Sequence, residues 1–143
     1  MKFTRKANAH WTGSGKSGNG HLTSESTVLN KTQYSFKTRF ENGPGTNPEE
    51  LIGAAHAGCF TMQLSFLLDA AGYEAKQLDT EAQVLFEDGA ITKINLALKA
   101  KIDNIDEQTF LQIAENAKKI CPVSKLLNAQ ITLSAILQNA LAV

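Results

Sequence analysis

Two cysteines, Cys59 and Cys121, are the only thiols in a chain of 143 residues, and they frame its chemistry. Two are far too few for a secreted disulfide scaffold; in a reducing compartment they are either inert core groups or catalytic ones. The thiolate is the reacting form of cysteine, so the surroundings of each sulfur decide its role. Cys59 stands among Ala55, Gly58, Phe60 and Met62. Such neighbours raise a thiol pKa above its ordinary value of about 8.5, so a reactive Cys59 requires a nearby cation. Cys121 stands just before Pro122, where a helix start favours thiolate through its dipole. Local physics alone therefore makes Cys121 the more acidic of the two. His56, three residues before Cys59 on one helical face, offers half a metal site or a base for the thiol. No Cys-x-x-Cys or second His-x-x-His pair supplies further ligands, so no metal is expected. A partly buried histidine bonded to backbone or to an interface neighbour is the plainer reading of His56.

Other signals carry less. Gly15-Lys16-Ser17 has the look of a P-loop end, but His10 occupies the position where the pattern needs glycine, and a strand rather than a helix follows. His10 and His21 read as strand residues, and Trp11 as a core anchor.

The elements that must position the thiols are legible in outline. Runs at 7–11, 21–25 and 33–40, with Trp11, Leu22, Tyr34, Phe36 and Phe40, suit an N-terminal antiparallel sheet. A helix then starts clearly: Asn47 caps, Pro48 is pre-organised for the first helical position, and Glu50 completes a capping box. No residue from 51 to 68 is charged, and apolar or small side chains face every direction. That pattern predicts a helix buried on all sides. His56, Thr61, Gln63 and Ser65 interrupt it and speak against a membrane span. The small residues Gly53, Ala54, Ala55, Ala57 and Gly58 would admit a second helix closely, which hints at a dimer partner. Alternation around Asp88-Gly89 predicts a hairpin. Asp106 begins an amphipathic helix with Phe110, Ile113, Ala114, Ala117 and Ile120 on one face. Cys121-Pro122 breaks it and starts a short helix through Asn128, and Ile131, Leu133, Ala135 and Leu137 make a last strand. The order gives an α+β class.

Composition bounds the rest. The length predicts one domain, 1–143. Hydrophobic residues at 43% and charged residues at 20% argue against disorder. Lys plus Arg and Asp plus Glu are both 14. That balance carries no electrostatic mandate for nucleic acid or an anionic membrane. The basic residues at the N-terminus have no apolar stretch behind them, so the cytoplasm is the expected compartment.

The stretch Asn47-Pro48-Glu49-Glu50-Leu51-Ile52-Gly53-Ala54-Ala55-His56-Ala57-Gly58-Cys59-Phe60, with Cys121-Pro122-Val123-Ser124 downstream, resembles the OsmC/Ohr family, the osmotically inducible and organic hydroperoxide resistance proteins. Ala9-His10-Trp11, Thr23-Ser24-Glu25-Ser26 and Thr38-Arg39-Phe40-Glu41 support it, and the His10-Trp11 and Ser24-Glu25-Ser26 pieces tilt it toward the OsmC branch. The resemblance implies antiparallel sheets around a long buried central helix, in an intertwined homodimer with active sites at the interface. It implies a thiol peroxidase without bound cofactor, reducing organic hydroperoxides with an external, lipoyl-type dithiol. Residue by residue, Cys59 matches the peroxidatic cysteine, Cys121 the resolving one, Arg39 the family arginine and Glu49 the glutamate that holds it. This reverses the local ranking of the thiols and supplies the cation Cys59 lacks. Glu50 is occupied by the cap, which leaves Glu49 to project. Ten helical residues put Glu49 about 15 Å along the axis from Cys59, so a Glu49 serving Cys59 would come from the other subunit. The rival readings are a thiol–disulfide oxidoreductase acting on protein partners, and a non-enzymatic stress protein that binds an apolar ligand and keeps its cysteines inert.

Overall fold

A computed structural model describes residues 1–139. The strands are β1 (Ala7–Thr12), β2 (Asn19–Ser24), β3 (Thr32–Tyr34), β4 (Ala75–Glu87), β5 (Ala90–Ile102) and β6 (Gln130–Leu137). The helices are α1 (Phe36–Phe40), α2 (Pro48–Ala70), α3 (Glu107–Ile120) and α4 (Pro122–Leu126). The α+β class is as expected. Two compact units divide the chain after Leu51, inside α2.

In the first unit β1, β2 and β3 form an antiparallel sheet in that order. Gly20 is where its two large rings close in: a Cβ there would collide with the His10 carbonyl oxygen and come within 2.8 Å of Trp11 and 2.9 Å of Tyr34. Those rings pack with centroids 5.3 Å apart, and Trp11 is half-buried rather than a core anchor. Lys16 lies in the β1–β2 turn, which runs directly into strand β2. The expected third strand, 33–40, is cut short. Ser35 instead caps α1: its Oγ accepts the Thr38 N–H at 3.3 Å, and Thr38 Oγ1 accepts the Ser35 N–H at 2.8 Å. That reciprocal box outweighs the strand preference of Phe36 and Phe40, whose rings pack at a tilt one helical turn apart. The α2 cap follows the sequence reading. The Glu50 N–H donates to Asn47 Oδ1 at 2.8 Å, and Asn47 Nδ2 donates to Glu50 Oε1 at 2.8 Å. The reciprocal bond thus uses the asparagine side chain rather than its backbone.

In the second unit the sheet order is β4-β5-β6. Asp88 and Gly89, both at positive φ, make the two-residue hairpin turn between β4 and β5. β5 buries every second residue, Ile94, Leu96, Leu98, Ala100 and Ile102. Against expectation this sheet is not wholly antiparallel, for β6 runs parallel to β5, from Lys93↔Gln130 to Ala100↔Leu137. α3 and α4 carry the chain back to the end of the sheet where β5 began, and such a crossover yields a parallel neighbour. α3 starts at Asp106 as read: Oδ2 accepts the Thr109 N–H at 2.9 Å and Oδ1 its hydroxyl at 2.7 Å. These bonds, the hydroxyl's first, hold the Asp106 carboxyl below its ordinary pKa. Phe110, Ala114 and Ala117 of α3 join Phe60, Leu64 and Leu68 of α2 and the inward residues of β5 in one core. Each fully buried large apolar side chain there contributes roughly 1.5–3 kcal/mol.

The expected burial of α2 on all sides is met within this chain along one face. One stripe is buried, Gly53, His56, Phe60, Leu64 and Leu68, while Met62 and Phe66 remain 63% and 61% exposed. Small side chains let the stripe close on β4, where a Cβ on Gly53 would lie 3.3 Å from Val84. α2 is long and apolar enough to cross a membrane, but its stripe lies inside this core, where a helix of a folded domain belongs.

Candidate active site

The two thiols meet. Cys59 sits mid-way along α2 and Cys121 caps α4, and their sulfurs are 2.9 Å apart across 62 positions of sequence. Both are free, Cys59 half-buried and Cys121 fully buried. Pro122 at the first position of α4 leaves the Val123 N–H as its first free amide, the backbone group that favours the Cys59 thiolate. The local reading gave the start of this helix to Cys121, but its N–H serves the other sulfur. Burial pushes the Cys59 thiol up, and the contact with Cys121 pushes it the same way. The Val123 amide opposes both by favouring the thiolate. A cation is therefore still required to make Cys59 a strong nucleophile at neutral pH.

In the first unit Arg39 of α1 meets Glu49 in the first turn of α2. Nε donates to Oε1 at 2.9 Å, and Nη2 lies 2.8 Å from the same oxygen. Glu50 is engaged at the cap, which leaves Glu49 to project. Glu49 Oε2 is buried and has no hydrogen-bond partner among the described residues. The four expected site residues thus form two pairs, Cys59 with Cys121 and Arg39 with Glu49.

His56 is fully buried. Its Nε2 lies 2.8 Å from Ser124 Oγ, 68 positions away. Burial lowers its pKa from the ordinary histidine value. A neutral imidazole in the folded chain becomes a proton acceptor on unfolding, so the unfolded state binds more protons below about pH 6.5. Stability is therefore expected to fall as pH drops through that value, a fall that ends at the lowered pKa of His56 itself. Urea midpoints at pH 7.5 and 5.5 check this, and His56→Asn should flatten the difference. Among the described residues no group of three or more His, Cys, Asp or Glu could hold a metal ion. Sequence reasoning missed Ser124 and the Val123 amide. The available signal was the matched spacing, histidine three before one cysteine and serine three after the other.

Two touching thiols, one linked to a helix-start amide, on an α+β scaffold define a two-cysteine redox protein. The chain belongs to the OsmC-like protein family, whose model matches residues 41–135. It is 48% identical to Peroxiredoxin OsmC of Escherichia coli (strain K12), over 97% of this chain and 100% of that protein. It is 30% identical to the organic hydroperoxide resistance protein OhrB of Bacillus subtilis (strain 168), over 74% of this chain and 79% of that protein. The crystal structure of Bacillus subtilis OhrB superposes with a TM-score of 0.72 at 26% identity, covering 94% of this chain and 98% of that one.

Proposed function

We propose that this chain is a thiol-dependent peroxidase that reduces organic hydroperoxides to alcohols, and hydrogen peroxide less well, in stress defence. The observation that carries the reading is the 2.9 Å contact between Cys59 and Cys121, joined to the relatives' names, Peroxiredoxin OsmC and organic hydroperoxide resistance protein. Cys59 is the attacking thiolate. Its sulfur displaces alkoxide from the hydroperoxide, the O–O bond breaks, and Cys59 keeps the hydroxyl as sulfenic acid. The alkoxide takes a proton and leaves as alcohol. Cys121 then attacks the sulfenic sulfur, water departs, and the Cys59–Cys121 disulfide forms; an external dithiol of lipoyl type reduces it by exchange.

Arg39 is the cation of the site, stabilising the Cys59 thiolate and the departing alkoxide. Glu49 orients it, as their two-nitrogen contact favours. The Arg39–Glu49 pair comes to Cys59 at the interface of an intertwined homodimer of single domains, a reading favoured by the exposed Met62 and Phe66 of α2. The dimer is cytoplasmic, and its partners are a small-molecule hydroperoxide and a dithiol reductant. Apolar side chains around α2 desolvate an alkyl tail, which favours organic peroxides.

Mass spectrometry before and after one equivalent of alkyl hydroperoxide tests the chemistry. Loss of two hydrogens, with a peptide linking Cys59 to Cys121, is expected; an unchanged mass with unconsumed peroxide would sink it.

A further inference from the structure

His56 and Ser124 have no part in the chemistry above, yet they stand against it. His56 lies three residues before Cys59 on α2, and Ser124 three after Cys121 on α4. The two elements are therefore joined by two neighbouring rungs, sulfur to sulfur at 2.9 Å and imidazole to hydroxyl at 2.8 Å. The Nδ1 of His56 is buried with no partner among the described residues. A buried N–H without an acceptor is rarer than an unfilled lone pair, which places the proton on Nε2, donating to Ser124 Oγ. Leaving one ring nitrogen unsatisfied costs stability, so this imidazole is a poor choice as mere filling.

α4 needs an outside guide. It has five residues and no side-chain cap; at its two ends Lys125 N–H donates to Cys121 O at 3.1 Å and Leu127 N–H to Val123 O at 3.2 Å. Val123 and Leu127 pack against the core, but apolar contact is non-directional and does not fix the rotation of a short turn. A hydrogen bond does. We propose that His56, acting through Ser124, is a positioning residue for the two thiols: its bond sets α4 against α2 so that Cys121 Sγ and the Val123 N–H both face the Cys59 sulfur. The idea deepens the peroxidase reading, and one of its two readouts stands without that reading.

The test compares the wild-type chain with Ser124→Ala and Ser124→Thr. Iodoacetamide alkylation of Cys59 across pH, followed by peptide mapping, needs no peroxide. With tert-butyl hydroperoxide, dimedone trapping times the sulfenic acid. Ser124→Ala should shift the alkylation profile to higher pH, slow alkylation about tenfold at pH 7 and lengthen the sulfenic acid's life about tenfold. Ser124→Thr, which keeps the hydroxyl, should restore both. His56→Leu removes the other half of the bond and should act like Ser124→Ala, which covers the case of one variant failing to fold. Wild-type alkylation and sulfenic-acid lifetime in Ser124→Ala, with or without a lower melting temperature, would overturn the positioning role. A shifted alkylation profile in proteins that never form sulfenic acid would uphold it and overturn the peroxidase reading instead.

Discussion

Cys59→Ser is expected to end hydroperoxide consumption, a loss of at least about a thousandfold against the wild type. The substitution exchanges one atom in a half-buried position of α2, so the fold should persist. The chemistry should not. A serine hydroxyl stays protonated at neutral pH and has no oxidation state in which to keep the transferred hydroxyl, whereas sulfur becomes sulfenic acid. The Val123 amide that favours the Cys59 thiolate would then face a neutral oxygen and stabilise nothing. Residual peroxide measured over time, with the dithiol in excess, checks the expectation. Consumption within tenfold of the wild type would hand the attacking role to Cys121 and restore the ranking that local sequence physics suggests.

That ranking shows where sequence reading succeeds and where it stops. Caps and tight turns are local, and Asn47, Asp88-Gly89 and Asp106 act where the sequence places them. The competition at 35–40 is local as well, but two signals conflict there. Aromatic residues point to strand, while the Ser35–Thr38 box makes a helical turn, because satisfied backbone donors outweigh side-chain preference on a short segment. The direction of β6 carries no residue-level signal; it follows from the crossover through α3 and α4. α2 is legible only in part, for a different reason. Apolar side chains on every face hide which stripe is buried in this chain, and Met62 and Phe66 look no different in sequence from Leu64 and Leu68. The Arg39–Glu49 pairing is what the family resemblance implies, and the cap agrees with it, since Glu50 is spent on Asn47. The meeting of Cys59 with Cys121 is legible only through the family motif. No local pattern connects positions 62 apart, and the same distance hides His56 from Ser124.

Cys121→Ser separates the two halves of the cycle. The variant keeps Cys59 and should release one alcohol per chain at close to the wild-type rate. It should then stop, with dimedone-reactive sulfenic acid on Cys59. Steady turnover with the same dithiol should fall at least about a hundredfold, because a resolving thiol held in contact acts at an effective concentration far above any added reductant. The 2.9 Å approach and the full burial of Cys121 make this stronger than a statement about proximity. A buried thiol is poorly placed to meet an external partner, so its use is to meet Cys59. The half-buried Cys59 is the sulfur an incoming thiolate can reach in the disulfide. Electrons then enter through the same atom that attacks peroxide, and Cys121 shields that atom from over-oxidation between turnovers. Undiminished turnover of Cys121→Ser would mean that the dithiol reduces the sulfenic acid directly, leaving the contact between the sulfurs without a catalytic purpose.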